Sequence, residues 1–388
     1  MLALTAATLF TPSERVDLPL VLVEDGRVVE VTSCASREVP AGARLADFGD
    51  AVLSPGFIDI HIHGSAGHDV MEPDSGALPA VERLLAQHGV TSYFPTTVTA
   101  PVETILAALE RLATAVEAQN GDPARIGLRA RPLGIHLEGP FISHTRRGVH
   151  SPELLLRPTC KIFEDFWQAA RGHLRVMTIA PELPGSAEVI AAAVKRGVCV
   201  SLGHSDADFK TARAAVGAGA RHATHTFNAM RPLGQREPGI IGEVLTDSRL
   251  TADIIADGIH LDPAIVKLVL QAKGVDSSVL ISDAISATGM PDGQYRLGSF
   301  EVEVKHGKCL YQGKLAGSVL TLDQAVRNVM RFANWNLQQA LRPATLNPAR
   351  VLGIADRKGG LVAGAEADIV VLSPGGEVRK TIICGQVG

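Results

Sequence analysis

The chain has no run of about 20 apolar residues, the length a helix needs to span a bilayer, so a membrane protein is not expected. Five cysteines occur, Cys34, Cys160, Cys199, Cys309 and Cys384, scattered and never as a CxxC pair. This usage suggests neither a thiolate metal cage nor a disulfide frame, and it suits a reducing cytosol. No segment is dominated by Lys or Arg, and the formal net charge is −4 over 388 residues. Nucleic acid is therefore not the expected class of partner, and a small molecule is expected instead. The opening segment MLALTAATLF lacks a basic leader, so a secretory signal is not expected and a cytoplasmic location is. Aromatic residues make up only 4% of the chain, which leaves the packing to Ala, Val and Leu.

What is present has a clear order. Residues 1–52 alternate short apolar runs with turn signals, as in PLVLVEDGRVVEV, where DG marks a hairpin turn. Residues 351–388 have the same style, and the two termini are expected to combine in one small β-sandwich. Between them, over 53–350, short apolar strands alternate with helical stretches such as LPAVERLLAQHG, SAEVIAAAVKRG and DPAIVKLVLQAKG. The strand candidates are FIDIHIH, VTSYFPT, RPLGIHLEG, LRVMTIAPE, VCVSLGH, ARHATHT, RLTADIIADG and SVLISDA. Eight such units predict an α/β fold, a (β/α)8 TIM-like barrel.

In that architecture chemistry belongs at the C-terminal strand ends, and the polar exceptions fall there. His61 and His63 close the first strand, two residues apart and hence on one face. Glu138 closes GIHLE, His204 closes VSLGH, His225 lies in ATHT and Asp283 closes VLISD. Imidazoles and carboxylates of this kind suit zinc or ferrous iron, and Glu138 is the natural bridge if two ions bind. His61 with His63 could hold one ion and His204 with His225 the other, leaving Asp283 for proton transfer or as a further ligand. His88, His222 and His306 are read as hydrogen-bonded structural residues.

The motifs PGFIDIHIHG, HLEGPFIS, SLGHSDA, ATHTFNAMRPL, REPGIIG, IADGIHLD, ISDA and LAGSVLTLDQAVRN run in this order along the chain. Their sequence resembles that of the N-acetylglucosamine-6-phosphate deacetylases of the amidohydrolase superfamily, over nearly the whole length. The resemblance implies one or two divalent metals per subunit, zinc or iron, with the tighter one on Glu138, His204 and His225. It implies Asp283 as general base and then acid, and His150 as the group that polarises the acetyl carbonyl. Phosphate contacts are implied for Asn228, the backbone at Ala229, Arg236 and His260, with Arg236 reaching across a homodimer interface. Arg146 and Arg147 are expected on an exposed loop face. A cyclic-amide hydrolase of the same superfamily should lack the Asn228, Arg236 and His260 set, and a metal-free scaffold should lose ligands or the aspartate.

Overall fold

The computed structural model describes residues 1–119 and 127–387. Its centre is a parallel barrel built from all eight anticipated strands. We number them β1 (Phe57–Ile62), β2 (Val90–Thr97), β3 (Ile135–Glu138), β4 (Leu174–Ile179), β5 (Cys199–Leu202), β6 (His222–Ala223), β7 (Thr251–Ile254) and β8 (Ser278–Leu280). Each strand pairs in parallel with the next. The ring closes near its upper rim, where Ile62 bridges Ala284, the Asp283 amide donates to the His61 carbonyl at 2.9 Å and the His63 amide to the Ala284 carbonyl at 2.8 Å.

Every residue of β1 and of β2 is buried, because the barrel interior covers one face of each strand and the outer helices cover the other. This is why β1 can alternate Ile58, Ile60 and Ile62 with Asp59 and His61 and still bury all of them. The helical stretches read from three-and-four spacing form Ala77–Gln87, Val102–Ala118, Ser186–Lys195, Phe209–Gly217 and Pro263–Ser277. Their buried positions face the barrel; Val81 and Leu85 of the first belong to the same continuous core as Ile105, Leu109 and Leu112 of the second.

The terminal segments build two further sheets. One carries six strands in the order Gln386–Val387, Val378–Ile383, Ile369–Leu372, Val52–Pro55, Thr8–Phe10 and Arg15–Asp17. The other carries Arg27–Ser33, Pro19–Glu24, Leu2–Thr5 and Arg44–Asp47. A separate apolar cluster that includes Leu4, Leu9, Val21, Leu53, Ile369 and Ile382 is contributed by both. The Asp25–Gly26 pair turns the hairpin between Pro19–Glu24 and Arg27–Ser33 with φ of 49° and 74°, the left-handed geometry that such a two-residue turn requires.

One element was not anticipated. After β8 the chain inserts a four-stranded antiparallel sheet, Gly293–Leu297, Phe300–Lys305, Lys308–Tyr311 and Lys314–Leu315. Its second strand FEVEVK alternates buried and exposed residues, a period-two signal present in the sequence. The Gly298 amide donates to the Asp69 carboxylate at 2.7 Å, tying this sheet to the loop that follows β1.

Candidate active site

Two sets of donor atoms converge above the barrel on the two oxygens of Glu138. His204 Nε2 lies 3.1 Å and His225 Nε2 2.9 Å from Oε1, and the two nitrogens are 3.1 Å apart. On the other oxygen, His61 Nε2 and His63 Nε2 lie 3.4 Å and 3.2 Å from Oε2 and 3.2 Å from each other. Asp283 Oδ1 completes this second set at 3.4 Å from His61 and 3.2 Å from His63. Ligand atoms bound tetrahedrally to zinc at about 2.0–2.1 Å stand roughly 3.3 Å apart, so both sets have the spacing of a coordination shell. All six side chains are buried.

Two of the four remaining ring nitrogens are held by backbone carbonyls so that Nε2 faces inward, while His61 Nδ1 and His225 Nδ1 are buried without a hydrogen-bond partner. His63 Nδ1 is 3.0 Å from the Thr96 carbonyl and His204 Nδ1 is 3.0 Å from the Arg146 carbonyl. A carbonyl only accepts, so these Nδ1 atoms carry a proton; Nε2, turned to the site, is a lone pair for a cation when the ring is neutral and an N–H donor to the carboxylates when the ring is charged. Backbone strain clusters at the same rim. His204, His225, Ala229 and Asp283 have φ of 46°, 27°, 51° and 49°, a left-handed region uncommon for residues with a Cβ, which elsewhere in the chain is adopted in turns such as the one at Asp25.

Burial by itself would favour the neutral forms of both carboxyls, but the imidazoles outweigh it. The charge of His61 and hydrogen bonds from His204 and His225 hold Glu138 well below the usual carboxylate range. Against burial, the hydrogen bond from His63 and the charges of His61, His63 and His225 keep Asp283 at about 2.

His150 behaves differently. Burial and the charge of His204 push it down to about 3. The Thr99 backbone amide donates to its Nδ1 at 3.3 Å, with the Thr99 hydroxyl 2.8 Å away. A neutral ring that accepts at Nδ1 must carry its proton on Nε2, and that nitrogen lies 4.0 Å from Glu138 Oε2.

A cavity of about 350 Å³ opens over these groups, lined by His63, Glu138, His150, His204, His225 and Asp283 on its floor. Asn228, Ala229 and His260 line it as well, whereas Arg236 does not and stands exposed in the loop before helix Gly239–Thr246. The inserted sheet contributes Leu297, Phe300 and Lys314 to the wall. Arg146 and Arg147 are half-buried and line the same cavity, not a free outer face; Arg146 Nε donates to Asp206 at 2.8 Å and thereby turns inward. His222 sits inside the barrel, 2.8 Å from Asp253, and His88 pairs with Asp323 at 3.1 Å. His136, not singled out from the sequence, is buried with Nε2 2.8 Å from the Thr178 hydroxyl and its ring packed edge-on against His61.

A parallel barrel with imidazoles and carboxylates gathered on one rim is the architecture of a metal-dependent hydrolase. The sequence model of the amidohydrolase family matches residues 52–388. An N-acetylglucosamine-6-phosphate deacetylase of Bos taurus is 40% identical over 94% of this chain and 90% of its own length. An N-acetylgalactosamine-6-phosphate deacetylase of Escherichia coli O157:H7 is 38% identical over 93% of each chain. The solved structure of an aspartate-to-alanine variant of N-acetyl-D-glucosamine-6-phosphate deacetylase from Mycobacterium smegmatis, in complex with N-acetyl-D-glucosamine-6-phosphate, superposes with a TM-score of 0.92 at 37% identity, covering 100% of this chain and 98% of that one. The chain belongs to the amidohydrolase family and, within it, to the branch of amino-sugar phosphate deacetylases.

Proposed function

We propose that the protein hydrolyses the acetamide of N-acetyl-D-glucosamine 6-phosphate, releasing acetate and D-glucosamine 6-phosphate. The observation that carries this reading is the convergence of histidines from three other strand ends on one carboxylate, Glu138, with a separate pair of nitrogens on each of its oxygens. The donor set fits a divalent cation, zinc or iron, on Glu138, His204 and His225, with His61, His63 and Asp283 available for a second. Such a cation supplies Lewis acidity, polarising the amide carbonyl and acidifying water.

The chain's own residues do the rest. The Asp283 carboxylate takes a proton from the attacking water and delivers it to the departing sugar nitrogen, which would otherwise leave as an unstable amide anion. The His150 Nε2–H donates to the carbonyl oxygen as negative charge develops there. Asn228, the backbone at Ala229 and His260 hold the phosphate from within the subunit. Arg236, exposed here, joins them from the partner in a homodimer, where its planar fork suits a phosphate.

The working location is the cytoplasm; among the described residues no helix is long and apolar enough to cross a membrane. The division into a barrel at 53–350 and a sandwich at 1–52 and 351–388 is supported by the sheet membership of the termini, to which Val52–Pro55 also contributes.

The test is primary-amine release from N-acetylglucosamine 6-phosphate and from the unphosphorylated sugar, after reconstitution with zinc or ferrous iron. Turnover confined to the phosphorylated sugar is expected; equal turnover of both would remove the phosphate site, and none would overturn the reading. The relative from Escherichia coli O157:H7 favours N-acetylgalactosamine 6-phosphate as a second substrate to compare in the same assay.

A further inference from the structure

We propose that Asp257 is a positioning residue for phosphate recognition: it fixes the tautomer and charge of His260 so that His260 Nε2 donates to the substrate phosphate. The inference rests on the reading of His260 as a phosphate contact.

The geometry is specific. One carboxylate oxygen of Asp257 accepts from the backbone amides of Ile259 and His260 at 2.7 and 2.8 Å. The other lies 2.7 Å from His260 Nδ1. The side chains of Asp257 and His260 are only 9% and 7% exposed, so solvent cannot take over either contact. A carboxylate only accepts, which places the proton on Nδ1 and leaves Nε2 as the nitrogen available to the cavity that His260 lines.

This arrangement has a consequence for the ligand. With Nδ1 protonated, Nε2 of a neutral ring is a lone pair, and a lone pair opposed to a phosphate oxygen is repulsive. The ring meets a phosphate favourably only as the imidazolium, with Nδ1–H on Asp257 and Nε2–H on the phosphate. Asp257 thus commits His260 to a charge-assisted contact, about twice as strong as a neutral one. It also makes the position selective, because an uncharged hydroxymethyl group gains little from the same cation. The turn from Asp257 to His260 lies directly after β7, so the carboxylate and the ring are carried by the same rim that carries the other site residues.

Asp257→Asn keeps an acceptor for the two backbone amides but offers an N–H to Nδ1. The ring then shifts to the neutral tautomer with its proton on Nε2, retaining the donor and losing the charge. The expected result is a rise of about tenfold in KM for the phosphorylated substrate with kcat within a factor of about two. Binding of glucosamine 6-phosphate, measured by calorimetry, should weaken by a similar factor, with bound metal unchanged.

His260→Gln and the double variant complete the cycle. If Asp257 acts through His260, adding Asp257→Asn to His260→Gln should change KM by less than about twofold. Additive effects, or a loss confined to kcat, would overturn the inference while leaving His260 as a phosphate contact. An unchanged KM in His260→Gln itself would instead overturn the underlying assignment. Should Asp257→Asn fail to fold, Asp257→Ser, whose hydroxyl can cap the turn but not hold the ring, carries the same cycle.

Discussion

Two buried clusters of acidic groups lie at opposite ends of the barrel, and what neutralises each separates them. At the lower end, Glu366 and Asp368 are met by cations of the chain itself. Lys358 Nζ lies 2.9 Å from Glu366 and also pairs with Asp368. Arg131, leading into β3, pairs with Glu366, and Arg357 reaches Glu366 at 3.2 Å. Burial alone would raise Asp368, but the charges of Lys358 and Arg131 bring it below its ordinary value. At the upper end of the same strand, Glu138 and Asp283 have only imidazoles beside them; among the described residues no Lys or Arg forms an ion pair with either. Both clusters place acidic and metal-ligating side chains within reach of one ion. Only the upper one lacks a permanent positive charge, and that deficit, more than the spacing, marks it as a place for a cation.

The comparison breaks most visibly at Glu138. Glu138→Gln removes the charge on which both donor sets converge and should lower turnover by about a thousandfold or more, with loss of bound metal. Metal content per chain, measured alongside turnover, checks this; a fully metallated and active variant would return the rim to the structural class. Asp283→Asn comes next. It should keep the metal on Glu138, His204 and His225 and lose about 10²–10⁴-fold in turnover, the usual contribution of general acid–base catalysis. Near-normal turnover with metal retained would remove the proton-transfer role.

The lower cluster should respond in the opposite currency. Lys358→Met leaves two buried carboxylates short of a cation, and the cost should be about 3–5 kcal/mol of folding stability. Turnover and metal content per folded molecule should stay within about twofold. Urea titration alongside the deacetylation assay checks both halves, and a variant that folds normally but loses metal would erase the distinction between the two ends.

The barrel was legible because parallel strands covered on both faces read as apolar runs, and the polar exceptions then stand out at strand ends. His61, His63, Glu138, His204, His225 and Asp283 came together for that reason. What escaped was less regular. The sheet from Gly293 to Leu315 carries a readable alternation in FEVEVK, yet it falls after the eighth strand, where no further βα unit is due. Arg146 read as a loop charge because its inward turn depends on Asp206, 60 residues further along, whereas Arg147 donates to the His144 carbonyl within the same loop. Asp257 was masked by its own motif: in IADGIHLD an aspartate before glycine is indistinguishable from a turn former, and here it is one, with its second oxygen committed to His260.

Glu82 tests the rule between these extremes, with the smallest effect. It is buried on helix Ala77–Gln87, with the Tyr93 hydroxyl at 3.4 Å and Arg129 at 3.5 Å. Burial pushes its carboxyl up to about 7, and the charge of Arg129 only partly opposes this. The folded chain therefore holds this proton more tightly than the unfolded chain, whose carboxyl titrates near 4.5. The stability from Glu82 is fully present below that value and is lost as pH rises towards 7 and beyond, a swing on the order of 3 kcal/mol. Glu82→Gln mimics the protonated side chain, so it should match the parent protein at pH 4 and exceed it in stability at pH 8. Equal differences at both pH values would mean that Arg129 compensates the carboxylate as fully as Lys358 does at the lower end, and that a cation at 3.5 Å is enough to complete a buried acid without help from outside the chain.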